Sequence, residues 1–198
     1  MKLKVCGNLK NVEEVADMSP DLMGFIFYDQ SPRNFGTAKD MIRNLPATIE
    51  RVGVFVNEDI DVVRDTVKEY SLDGVQLHGD ESTDYLSELQ SEEHQILKVF
   101  RVIDELPTEL SEFKRLADYF LFDTRTNKYG GSGKQFDWTI LDEVDHPFFL
   151  SGGLKLDDVS NIQSIKNPYL KGIDVNSGFE ISPGYKDVDL LKKLKSAL

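Results

Sequence analysis

Residues 51–78 read RVGVFVNEDIDVVRDTVKEYSLDGVQLH. The stretch opens on a β-branched and aromatic run, Arg51–Val56, and closes on another, Gly74–His78. Between them Val62, Val63, Thr66 and Val67 recur at helical spacing in a polar background. A strand, an amphipathic helix and a second strand in that order make a βαβ unit with parallel strands. Outward from this unit the same alternation continues. Further strand-like runs occupy Leu3–Cys6, Leu22–Tyr28, Ile96–Val102, Tyr119–Asp123, Phe148–Ser151 and Gly172–Asn176. Helical stripes lie at Val12, Val15 and Ala16, at Tyr85, Leu86 and Leu89, and at Val159, Ile162 and Ile165. The run Val188–Leu198 reads as a closing helix.

Eight strand candidates, each followed by a plausible helix, close naturally into a barrel. The expected fold is therefore α/β, a single (βα)₈ or TIM barrel whose parallel eight-stranded barrel spans residues 1–198 as one domain. The rival, an open doubly wound sheet, needs fewer strands and often a glycine-rich first turn. Cys6-Gly7-Asn8-Leu9 lacks that turn.

The chain has 198 residues, of which 40% are apolar, enough for a large core. No apolar run approaches the roughly 20 residues of a membrane helix, so no membrane partner is expected. The formal net charge of −12 argues against nucleic acid, whose phosphates demand a basic surface. An anionic ligand would need a local positive site. The single cysteine forms no internal disulfide, which fits a cytoplasmic location.

Strand parity suggests where polar side chains point. Lys4 and Cys6 share a face, as do Arg51, Gly53, Phe55 and Asn57, then Gln76 and His78, then Asp174 and Asn176. The opposite faces are Leu3/Val5, Val52/Val54/Val56, Val75/Leu77 and Ile173/Val175. The expectation is that the valine-rich faces meet helices and the polar faces line the barrel. Buried charges need partners, so Lys4, Arg51 and Lys98 should neutralise Asp123, Asp174 or a bound anion. The alternative is that some of these strands are exposed antiparallel edges.

Active sites of such barrels lie at the C-terminal ends of the strands. Cys6 and Asp123 both end strands and would face one mouth. A thiolate can remove a proton and a protonated carboxyl can donate one. A nearby Lys4 would favour the thiolate. His78 ends the fourth strand, as a base, a ligand contact or a satisfied polar residue. Gly152 and Gly153 follow the seventh strand; Asn176, Ser177 and Gly178 follow the eighth. Loops at those two positions commonly hold phosphate. Gly131, Ser132 and Gly133 follow the strand of Asp123, where glycine backbone can form an anion nest. Arg33 sits in the loop after the second strand, and its planar fork suits a carboxylate. His94 and His146 form no zinc-like spacing with Cys or Asp, so no metal is expected.

Several blocks together carry a resemblance: KVCG at 4–7, GFIFYDQSPR at 24–33, RVGVFVNE at 51–58 and VQLHGDE at 75–81. LFDTRTNKYGGSGKQFDW at 121–138, LSGGL at 150–154 and DVNSGFEISPGYKD at 174–187 follow in order. The chain resembles the phosphoribosylanthranilate isomerases of tryptophan biosynthesis. The resemblance implies an Amadori rearrangement of N-(5-phosphoribosyl)anthranilate, a small-molecule substrate, without cofactor or metal. It implies Asp123 as general acid and Cys6 as general base. It also implies that Arg33 holds the anthranilate carboxylate and that the glycine turns hold phosphate. Asp174 is expected to contact substrate. The chain departs from the family's usual residues at Asn8, Asn34 and Asn176. Two further readings stand beside this one: a broader aldose-amine isomerase also serving histidine biosynthesis, and a non-catalytic barrel binding a phosphate ligand. Monomer and homodimer are both compatible with the sequence.

Overall fold

The computed structural model describes residues 1–36, 39–90, 94–124 and 136–198. Eight parallel strands close a barrel in chain order: β1 Lys2–Cys6, β2 Leu22–Ile26, β3 Glu50–Phe55, β4 Gly74–Leu77, β5 Gln95–Val102, β6 Tyr119–Thr124, β7 Phe148–Leu150 and β8 Leu170–Val175. Pairing of β1 with β8, Lys4 beside Asp174, completes the ring. The helices are α1 Val12–Asp17, α2 Lys39–Arg43, α3 Ile60–Tyr70, α4 Thr83–Leu89, α5 Leu110–Phe113, α6 Val159–Ser164 and α7 Val188–Ala197. A 3₁₀ segment, Trp138–Glu143, precedes β7 in place of an α-helix. After β8 a 3₁₀ turn, Ser177–Phe179, leads into a small antiparallel hairpin, β9 Glu180–Ser182 and β10 Tyr185–Lys186.

The expected strands are all present, with ends shifted by a residue or two. The α3 stripe differs from expectation: Val63 and Tyr70 are buried and Val67 packs behind them, whereas Val62 is exposed. Asp59 caps this helix by accepting the Asp61 N–H.

Residues on both barrel faces are buried, but they pack against different partners. One cluster, Leu22, Val52, Leu97, Val99, Leu121 and Phe149, contains strand residues alone and fills the barrel interior. The other joins alternate strand residues such as Val5, Phe55, Leu77 and Val175 to the helices. Gly172 leaves room inside for a large ring, since a Cβ there would lie 2.6 Å from Phe149 Cε1.

This arrangement reverses the expected parity of β3. Val52 faces inward, while Phe55 packs outward. Gly53 is on the outer face because a Cβ there would meet Leu72 Cδ1 at 2.6 Å and Phe55 Cε2 at 2.7 Å. Arg51 likewise turns away from the barrel axis. It donates to the carbonyls of Ile42 and Leu45 and pairs with Asp73. Lys98 shares the outer face with Phe100 and pairs with Glu81 at 2.7 Å, not with an interior carboxylate. Of the three cations expected to neutralise interior charge, only Lys4 does so, on Asp174 at 3.0 Å.

At the N-terminal end of the barrel, three aspartates just before even-numbered strands clamp the preceding odd one. Asp21 accepts the Leu3 N–H, Asp73 that of Arg51 and Asp118 that of Ile96, each at 2.8 Å. Stability is built at this end, leaving the opposite mouth for chemistry.

Candidate active site

Cys6 is the last residue of β1 and is almost fully buried. Its space depends on Gly24 of the neighbouring strand, where a Cβ would lie 2.8 Å from the sulfur. Asn8 ties this strand end down by donating to the carbonyl of Val5 at 2.6 Å and of Gly24 at 3.4 Å. The unusual asparagine thus has a buried bridging role beside the cysteine.

Asp123 lies in β6. Its Oδ1 accepts the Thr124 N–H at 2.8 Å, and its Oδ2 lies 3.3 Å from His78 Nε2. Gly152, at φ +90°, closes against the same carboxylate; a Cβ there would meet Thr124 N at 2.6 Å and Asp123 Oδ1 at 2.8 Å. Only glycine fits that approach with that backbone.

Cys6, His78, Asp123, Gly152, Gly153, Asp174, Asn176, Ser177 and Gly178 line one cavity, open at the C-terminal mouth. Ile26, Val54 and Val56 supply an apolar wall, and Gln76, Tyr28 and Ser31 add polar groups. Those six were missing from the expected site. Val54 and Val56 fall outside the expected site because the parity expected for β3 turns them towards the helices, whereas they face the cavity. Gln76, already on the His78 face, carried the available signal.

Arg33 is not part of the cavity wall. It lies over Gly7, next to Cys6, and is bound to Glu180. Gly131, Ser132 and Gly133 lie outside the described residues. Asn34 bridges its own loop, donating to Asp29 and accepting the Gly36 N–H. Among the described residues no cluster of His, Cys, Asp and Glu could hold a metal ion.

The electrostatics centre on Lys4, fully buried between Asp174 and Cys6. Burial works against its charge, but Asp174 and Cys6 outweigh that and hold its pKa above the ordinary value. Burial raises the Asp174 carboxyl, and Lys4 only partly offsets it. Burial also raises the Cys6 thiol above its ordinary 9.0; Lys4, Lys186 and the Gly7 N–H pull it down without prevailing. The expected cation-assisted thiolate is therefore opposed by desolvation in the unliganded site.

The fold and this mouth define a (βα)₈-barrel enzyme site for a small molecule. The chain belongs to the N-(5′-phosphoribosyl)anthranilate isomerase family, whose model matches residues 2–197. A relative of that name from Parabacteroides distasonis is 41% identical, over 97% of this chain and 90% of its own. The solved phosphoribosyl anthranilate isomerase of Thermotoga maritima superposes with TM-score 0.86 at 31% identity, covering 100% of this chain and 98% of that one. A further isomerase structure, in complex with reduced 1-(o-carboxyphenylamino)-1-deoxyribulose 5-phosphate, gives TM-score 0.82 at 29% identity, covering 100% and 98%.

Proposed function

We propose that this chain isomerises N-(5′-phosphoribosyl)anthranilate to 1-(o-carboxyphenylamino)-1-deoxyribulose 5-phosphate in tryptophan biosynthesis, with Asp123 as general acid and Cys6 as general base. The observation that carries the proposal is that these two groups, from strands β6 and β1, line one cavity. Asp123 donates a proton to the ribose ring oxygen, and the C1′–O bond breaks to give an open-chain Schiff base. Cys6 then takes the C2′ proton, and the resulting enolamine tautomerises to the ketone. C2′ is oxidised while C1′ is reduced within one molecule, so the reaction balances without an external oxidant.

His78, 3.3 Å from Asp123 Oδ2, holds the acid in place. The turns at Gly152–Gly153 and Asn176–Gly178 offer backbone N–H groups to the phosphate. Arg33 takes the anthranilate carboxylate at the rim. In a chain of net charge −12, Lys4, Arg33 and Lys186 are, among the described residues, basic groups beside Cys6 that favour an anion at the mouth. Asp174 holds Lys4 beside Cys6. In this reading residues 1–198 act as one barrel in the cytoplasm.

The test is a progress curve on the purified protein with N-(5′-phosphoribosyl)anthranilate, followed by the fluorescence of its anthranilate group. Conversion to the ketose at a rate proportional to enzyme is expected. Stoichiometric binding with no product would leave only a ligand-binding barrel.

A further inference from the structure

Arg33 is held in place by residues far away in sequence. Its Nε donates to both carboxylate oxygens of Glu180, at 2.9 and 3.0 Å, and its Nη2 donates to Oε2 at 2.7 Å. The Glu180 side chain is 4% exposed. Its Oε1 also accepts from Lys186 Nζ at 2.8 Å and from the Gly184 N–H at 3.1 Å. Lys186 in turn donates to Asn176 Oδ1 at 2.8 Å, a residue of the cavity wall. The hairpin β9–β10 thus grips the β2 loop and the β8 turn through one carboxylate.

Two features of this grip bear on recognition. Glu180 occupies only the Nε–Nη2 edge of the guanidinium; among the described residues Nη1 makes no hydrogen bond. Two basic side chains, Arg33 and Lys186, also share this single carboxylate beside Gly7 and Cys6, and burial lowers the pKa of Lys186 despite Glu180. Burial works to raise the Glu180 carboxyl, but the bonds from Arg33 and Lys186 keep it below the ordinary range. A flexible arginine would have to be ordered by substrate on each turnover, whereas a clamped one is ordered before substrate arrives.

We infer that Glu180 is a positioning residue: it fixes Arg33 so that the open guanidinium edge selects substrates carrying an ortho-carboxylate on the aryl amine. The inference rests on the proposed role of Arg33 in carboxylate binding. Glu180 itself does not line the cavity, and its effect runs through Arg33.

The experiment compares kcat/KM for N-(5′-phosphoribosyl)anthranilate with that for N-(5′-phosphoribosyl)aniline, which lacks the carboxylate. The ratio of the two is independent of how much enzyme is folded. Wild type should prefer the carboxylated substrate, and Arg33→Ala should erase that preference, ~10-fold or more for a charge-assisted bidentate contact. Glu180→Gln should lose most of the same preference, chiefly through KM. In an Arg33→Ala background it should change the ratio no further. Should Glu180→Gln fail to fold, Glu180→Asp, one methylene short of Arg33, should show the same drop. If Arg33→Ala erases the preference while the Glu180 variants keep it, the positioning role is overturned and the Arg33 assignment survives. If Arg33→Ala keeps the preference, the Arg33 assignment falls, and the positioning role with it.

Discussion

Replacing Lys4 by methionine removes one charge from the barrel interior while keeping a long apolar stem. Lys4 Nζ lies 3.0 Å from Asp174 Oδ1, and the two side chains are 0% and 6% exposed. The variant leaves the Asp174 carboxylate without the cation that chiefly offsets its burial. Breaking a buried pair from one side costs about 3–5 kcal/mol. For a chain of this size each kcal/mol moves Tm by about 2–4 °C, so Tm should fall by roughly 6–20 °C. The loss has a pH signature. The folded-state pKa of Asp174 lies above its ordinary 3.8, so its contribution to stability is full below 3.8 and is lost as pH rises through the folded value. Removing Lys4 raises the folded value further, so Lys4→Met should lose more at about pH 7.5 than at about pH 5. Adding Asp174→Asn should abolish that extra pH dependence, because the carboxyl that lost its cation is gone. The assay is thermal unfolding followed by circular dichroism for the three proteins at both pH values. A Lys4→Met protein with wild-type Tm would refute the reasoning, as would the extra pH dependence over wild type surviving Asp174→Asn.

Gly152→Ala sets a Cβ 2.8 Å from Asp123 Oδ1 on a backbone at φ +90°. The acid must shift, and kcat at saturating substrate should fall by about 10²-fold; an unchanged kcat would contradict the close approach. In the unliganded protein the Cys6 thiol should titrate above 9.0, read as thiolate absorbance, because burial outweighs Lys4, Lys186 and the Gly7 N–H. A midpoint below 9.0 would show that the cations win. Glu81→Ala strands buried Lys98 and the N–H groups of Asn57 and Gly79. Urea unfolding should report a loss of about 3–5 kcal/mol.

Much of this molecule was legible in its sequence because strands and helices alternate with short, well-marked turns. The motif stretches at the strand ends placed Cys6, His78, Asp123, Gly152 and Gly178 around one cavity, since the C-terminal ends of parallel strands converge by topology. The β3 parity failed for a physical reason. Both faces of a barrel strand are buried, so apolarity does not separate inside from outside. Arg51 sits near the N-terminal end of its strand, where it reaches carbonyls of the preceding helix and loop. Lys98 is buried on the outer face by Glu81, 17 residues earlier, a pairing with no periodic signal. The clamp on Arg33 was equally hidden: Glu180 is 147 residues away and meets it only because β8 closes on β1 and β1 lies beside β2. Burial of Cys6, too, is a property of the closed barrel; the neighbouring Lys4 alone pointed to the opposite direction of shift.

The central claim is the division of proton transfer between Cys6 and Asp123. The measurement that tests it most directly is kcat of Cys6→Ser and of Asp123→Asn at saturating N-(5′-phosphoribosyl)anthranilate, with folding checked by circular dichroism. Each folded variant should lose about 10²–10⁴-fold in turnover. Near-wild-type turnover in either would contradict the assignment of that residue.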